Sequence, residues 1–325
     1  MKKTLLALSV LAAGSAQAGI NLYDANGVVV DLSGAAEVQY LQPIQDKDSN
    51  ADSGIHLDDG DLQLNTTIAV NDQLNAVAGI GFAFEKRDVT NDELWVGLGG
   101  DFGTLTFGRQ LLISDDAGIG KDYELGFEQI DFGVTEGNET IKYVFDNGQF
   151  YFGLSHDLDA DAESKGINGD AATDFLNSDG TITDARLGAR FGDIDVRGYY
   201  YTAENSSLDS EKKERDIFNL EAEYVMGQFA FAASYGQIEN KTAGVKTVDA
   251  DVIELAGSYT MGKNTFALGY NRLDDDASND TIDNVYGNVT HQLHSNVKVY
   301  GELGWADSDL ADLDVGYLVG MEVVF

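Results

Sequence analysis

The sequence predicts an all-β fold, a transmembrane antiparallel barrel of sixteen strands. Three observations lead there. Apolar and polar residues alternate with a period of two along most of the chain. The alternating segments mostly run roughly 9–14 residues, the length that crosses a bilayer at a tilt. The connectors between them alternate short and long, as when one rim carries tight turns and the other carries loops. A soluble β-sandwich predicts strands nearer about 5–6 residues and no regular alternation of connector length.

Taken in order, the chain opens with Lys2 and Lys3, an apolar run from Leu5 to Ala13, and Ala16-Gln17-Ala18. A basic start, a short apolar core and an A-x-A end predict a secretory signal peptide over 1–18, followed by one domain over 19–325. The apolar run is too short for a spanning helix, which needs about 20 apolar residues. The remaining chain offers no membrane helix, and its mean hydropathy of −0.20 fits strands that are apolar on one face only.

The strands are predicted at 29–42, 57–70, 74–87, 91–100, 103–110, 138–146, 149–157, 182–192, 194–204, 214–226, 228–239, 249–261, 264–274, 281–292, 296–306 and 313–325. The terminal strand shows the pattern most cleanly: Val315, Tyr317, Val319, Met321, Val323 and Phe325 form one face. Gly316, Leu318, Gly320, Glu322 and Val324 form the other. Short turns such as Asp146-Asn147-Gly148, Gly192-Asp193 and Gly227-Gln228 alternate with longer polar stretches at 43–56, 111–137, 158–181, 205–213, 240–248, 275–280 and 307–312. Aromatics beside the short turns (Phe102, Phe145, Phe150, Phe191, Tyr224, Phe229, Tyr259, Phe266) read as one of a barrel's interfacial girdles.

Composition narrows the function. There is no cysteine, so no disulfide or thiolate chemistry exists, and Pro43 stands alone beside 37 glycines, as suits strands and tight turns. The formal charge of −36 excludes nucleic acid as a partner, because phosphate contacts need Lys and Arg. The same acidity favours cations in any passage through the protein. The four histidines, His56, His156, His291 and His294, fall in loops, strand ends or a turn and do not assemble a metal site or catalytic base. No G-x-S-x-G occurs. Asp157-Leu158-Asp159-Ala160-Asp161 begins like a calcium loop, but Ala162 stands where the turn glycine belongs. No enzyme, resident metal or cofactor is expected.

The stretch Leu94 to Gln110, with Gly97-Leu98 before the turn and Gly103-Thr104-Leu105-Thr106-Phe107-Gly108-Arg109 after it, resembles the fourth and fifth strands of the general diffusion porins of the Gram-negative outer membrane. Asn21-Leu22-Tyr23 through Gly34 resembles that family's opening, and Phe325 its C-terminal aromatic. The resemblance implies a homotrimer in the outer membrane, in contact with lipid and lipopolysaccharide. Its terminal aromatic would be read by the barrel-assembly machinery, and each subunit would pass small hydrophilic solutes. It also implies a third loop folded into the lumen, with acidic residues facing a basic ladder on the opposite wall.

Tyr123-Glu124-Leu125-Gly126-Phe127 is similar to the family's constriction motif without its usual proline, which makes Glu124 the candidate pore carboxylate, with Asp116, Asp122 and Glu128 beside it. The consecutive apolar residues Leu94 to Leu98 suggest that this loop covers the inner face of strand four. The ladder departs from the family: Asp61, Asp92 and Asn138 stand where basic residues are expected, and Glu37 lies inward on the first strand. Lys142, Arg186 and Arg197 are the inward basic group, outnumbered by acids. By parity Arg109 turns outward, and the resemblance places it toward the subunit interface, near the small outward residues Gly34, Ala36, Ala76 and Ala78.

Overall fold

Alternation produces one antiparallel sheet that closes on itself. A computed structural model describes residues 19–47, 53–85, 89–119, 123–127, 129–160, 180–205 and 212–325; the segment 1–18 lies outside them. In chain order the strands are β1 (Ile20–Ala25), β2 (Val28–Gln42), β3 (Gly54–Leu57), β4 (Asp61–Asn71), β5 (Leu74–Ala83), β6 (Thr90–Gly100), β7 (Gly103–Leu111), β8 (Glu136–Asp146) and β9 (Phe150–Asp157). They continue as β10 (Gly180–Phe191), β11 (Ile194–Asn205), β12 (Lys213–Met226), β13 (Phe229–Thr242), β14 (Val245–Met261), β15 (Asn264–Asp275), β16 (Asp280–His294), β17 (Val297–Ser308) and β18 (Gly316–Val324).

These eighteen segments occupy sixteen positions around the barrel. β3 and β4 both pair with β2 and form one interrupted strand. β1 pairs with the first part of β2, and β18 pairs with the rest of it. The two chain ends meet opposite Gly34, whose N–H and C=O both bond the backbone of Phe325 at 2.9 Å. A side chain at position 34 would strike the Phe325 ring, so glycine is required for closure. The barrel thus seals between the first long strand and the terminal strand, as the pattern predicts. The short strand β1, absent from the predicted set, completes the terminal strand and leaves the number at sixteen.

Turn chemistry fixes the register on one rim. Asn26 and Gly27 both adopt positive φ (56° and 74°), the left-handed conformation that a two-residue hairpin turn demands. On the opposite rim the polar stretch 240–248, expected to be a long loop, instead extends β13 and β14 to the tight turn Ala243–Gly244. Here polar residues lengthen the strands beyond the bilayer, where water can solvate both faces.

Burial is inverted relative to a water-soluble protein. Leu187, Leu268, Leu303 and Val96 are more than 60% exposed on the outer wall, while Asn219, Glu221 and Asn284 are at most 1% exposed within. Phe102, Phe150, Phe191, Tyr224, Phe229 and Phe266 are exposed beside the short turns, as a girdle requires. Such an outer surface is stable only against lipid, and its closed sheet leaves no unpaired edge in the hydrocarbon.

Candidate functional site

The lumen is shaped by the described residues between β7 and β8, 112–119, 123–127 and 129–135, which lie along the inner wall. A loop without strand partners must satisfy its backbone N–H groups elsewhere, and wall side chains supply the acceptors. Ile113 N–H donates to Ser155 Oγ (2.9 Å), Ser114 N–H to Asp184 Oδ2 (2.6 Å) and Gly118 N–H to Glu221 Oε1 (2.6 Å). Farther round the wall, Leu125 N–H donates to Glu302 Oε1 (2.6 Å) and Ile130 N–H to Glu254 Oε1 (3.1 Å). In return Tyr199, Tyr201, Asn271 and Asn284 donate to the loop carbonyls of Asp116, Val134, Phe127 and Leu125 at 3.0–3.2 Å. Apolar packing completes the seat: Leu112 and Phe132 join Ile182, Tyr199, Tyr201 and Ile217, and Leu125 joins Ile44, Tyr286 and Leu318. The loop therefore lies against β8 to β18.

This path corrects one expectation. The inner face of β6 is not what the loop's hydrogen bonds and packing cover. Leu94, Val96 and Leu98 turn outward and are exposed, while Trp95 turns inward over Gly79, where a Cβ would lie 2.4 Å from its ring. The apolar run is an alternation of aliphatic and Trp/Gly residues, so it needs no cover.

The sector from β2 to β6, with β18, is lined instead by carboxylates. Carboxylate oxygens of Glu37, Asp59 and Glu322 all lie within 4.8 Å of one another, and so do those of Asp59, Asp61 and Glu85. Glu37 accepts from the Tyr300 hydroxyl, and Lys298 pairs with Glu322 at 2.6 Å. Asp92 and Glu93 extend the patch on β6, Glu93 accepting from Trp95 Nε1 (2.7 Å) and Gln63 Nε2 (2.6 Å). Backbone irregularities present these acids. Pairing shifts by one residue between Val38↔Leu57 and Gly34↔Leu62, a bulge that holds Asp58 to Asp61. Another shift places Asp92 and Glu93 opposite the Ile80–Phe82 step, and a third falls at Gly108–Gln110, opposite Asn138. The predicted strand 57–70 is broken for this reason: Asp58-Asp59-Gly60 interrupts the alternation, a signal the period-two reading passed over.

The remaining candidates fall into place around these two sectors. Glu124 is exposed to the lumen at the loop's far turn. Its carboxyl is pushed up to about 8, first by desolvation inside the barrel and then by the carboxylate of Asp58, with smaller contributions from Glu302 and Glu37. Asp116 is ion-paired with Arg186. Arg197 bridges Glu221 (2.5 Å) and Glu223 (2.7 Å), and Lys142 donates to the Leu111 carbonyl at 2.8 Å. All three basic side chains are thus held where the loop meets its seat. Asp122 and Glu128 lie outside the described residues. Arg109 turns outward, bonded to Asn138 on β8 and to the backbone and side chain of Asn91 on β6. Residues that the alternation reading did not single out are the bulge acids Asp58 and Asp59, the seat residues Ser155 and Asp184, and Asn271 and Asn284.

A closed sheet with an apolar outer wall, a polar interior and a loop lodged in the lumen defines a transmembrane channel. The sequence matches the Gram-negative porin family over residues 4–311. It is 51% identical to "Porin-like protein H" of Photobacterium profundum, over the full length of both chains. Among solved structures it resembles OmpT of Vibrio cholerae (TM-score 0.74, 19% identity, 94% of this chain and 99% of that one). It also resembles an anion-selective porin from Comamonas acidovorans (TM-score 0.74, 17% identity, 92% and 100% covered). The chain belongs to the Gram-negative porin family and is a passive channel of the outer membrane.

Proposed function

We propose that this porin is a general diffusion channel for small hydrophilic solutes that prefers cations. The observation that carries the reading is the pairing of sectors. The loop presents Glu124 to the lumen, and the uncovered wall presents Glu37, Asp59, Asp61, Glu85, Asp92 and Glu93, while Lys142, Arg186 and Arg197 are engaged at the loop's seat. A negative lumen concentrates cations and repels anions. The fold does not set this preference, since an anion-selective porin shares it; the side chains do.

Assembly as a homotrimer accompanies this reading. One OmpT structure is a trimer form, and outward Arg109 with Gly34, Ala36, Ala76 and Ala78 offers a face that permits close subunit approach. Phe325, seated on Gly34 at the closure, is the proposed insertion signal for the barrel-assembly machinery. The test of ion preference is the reversal potential of single channels under a salt gradient. Wild type should show cation preference, and above the pH of about 8 at which Glu124 becomes charged the combined change Asp61→Asn and Glu124→Gln should reduce it without closing the pore. Anion preference in wild type at low salt would overturn the reading.

A further inference from the structure

The loop's route along the wall is marked by glycines. Ile113 sits over Gly153 on β9, where an added Cβ would lie 2.5 Å from Ile113 Cδ1. Ile130 sits over Gly236 on β13, at 2.5 Å from Cδ1 by the same measure. Leu125 sits over the cross-strand pair Gly304 and Gly316, where the added Cβ atoms would lie 2.6 Å from Leu125 Cβ and 2.8 Å from Leu125 Cδ2. Real Cβ atoms do not approach this closely: at Gly153 and Gly236 the Ile δ-methyl must move aside, and at Gly304, where the contact falls on Leu125 Cβ beside its backbone, the loop itself must shift.

Each seated residue is also the one whose N–H is taken by the wall: Ile113 by Ser155, Leu125 by Glu302, Ile130 by Glu254. Ser155 and Glu302 stand two residues from Gly153 and Gly304 on the same strand and face, so socket and acceptor form one unit. Near Gly236 the acceptor comes from the next strand, with Glu254 steadied by Ser234. Other wall glycines serve differently: Gly188, Gly269 and Gly320 lie under the wall's own Tyr151, Tyr286 and Tyr300 rings.

We propose that three apolar residues of the third loop, Ile113, Leu125 and Ile130, are studs seated in wall-glycine sockets, and that the Leu125 socket fixes the reach of Glu124 and so the aperture. This rests on the reading of the third loop as the constriction. Leu125 is the decisive stud because it is adjacent to Glu124 and is clamped on three sides. Its N–H is held by Glu302, its carbonyl by Asn284 (3.2 Å), and its side chain is capped by Ile44. Packed interiors transmit small displacements instead of absorbing them, so a methyl group in the socket moves the turn into the lumen.

The experiment measures single-channel conductance and liposome-swelling solute cut-off for Gly304→Ala. Heat-modifiable mobility on gels verifies assembly. Alanine is normally favoured over glycine within a strand, so a defect reports the loop and not the sheet. Conductance should fall about twofold as overpacking displaces the turn, and adding Leu125→Gly, which removes the Leu125 Cβ that the new methyl meets at 2.6 Å, should return it toward the wild-type level. Gly301→Ala, on the outer face of the same strand with no atom nearer than 3.7 Å to its new Cβ, should change nothing. Wild-type conductance and cut-off in assembled Gly304→Ala, or no restoration by Leu125→Gly, overturns the proposal. If Gly304→Ala fails to assemble, Leu125→Ala alone decides: a larger cut-off and noisier open channel support the stud, and unchanged behaviour refutes it. An unchanged ion preference in Asp61→Asn/Glu124→Gln would leave this result standing, so the two readings fail separately.

Discussion

Two walls of one lumen carry similar numbers of acids to different ends. On the loop-covered side, Asp184, Glu221, Glu254 and Glu302 are at most 3% exposed, and each accepts a loop N–H. Arg186 and Arg197 add ion pairs to the same seat. On the uncovered side, Glu37, Asp59 and Glu322 lie within 4.8 Å of one another, as do Asp59, Asp61 and Glu85, with Lys298 paired to Glu322. A carboxylate satisfied by backbone donors is a structural fastener, and its charge is answered where it stands. A carboxylate facing other carboxylates projects its field into the water beside it. The sum of inward charges therefore does not measure the field in the pore; the partners of each charge do.

The largest test of this contrast neutralises each wall in turn. Asp59→Asn/Asp61→Asn/Glu124→Gln should abolish most of the cation preference at about 0.1 M salt, where screening is weak, while the channel stays open. Glu221→Gln/Glu254→Gln/Glu302→Gln should keep the preference and disturb conductance and open-channel noise. Equal loss of selectivity in both sets would erase the distinction. A smaller effect is expected from Glu302→Ala alone. It strands the buried Leu125 N–H at a cost of about 1–3 kcal/mol, enough to release the loop's far turn and visible as current flicker.

Titration separates the loop from the wall in another way. Because the Glu124 carboxyl is raised to about 8, it is mostly protonated below that pH and gains its charge as pH rises through it. Cation preference should climb from about two pH units below that value to about one above it, and Glu124→Gln should remove the part of the climb due to this group. A profile unaltered by the substitution would assign the climb to the uncovered wall alone. The smallest effect is that of salt: preference should weaken between about 0.1 M and 1 M as the Debye length falls from about 10 Å to about 3 Å.

Local signals suffice to specify the sheet. A period of two, connectors of alternating length and paired turn residues such as Asn26-Gly27 act over a few residues, and each strand's two faces are set by which residues tolerate lipid and which need water. That is why closure at Phe325, the outward parity of Arg109 and the inward parity of Glu37, Arg186 and Lys142 were all legible. What those inward groups do is set by contacts distant along the chain. Whether Glu302 faces open water or a loop amide depends on a segment 177 residues away in sequence, and no periodicity carries that. The bulges escaped for a related reason. One extra residue among Asp58 to Asp61 leaves composition unchanged but breaks parity, so the acids of the uncovered wall come together through backbone pairing that alternation assumes to be regular. The glycines under Ile113, Leu125 and Ile130 are likewise plain strand glycines until the loop lies over them.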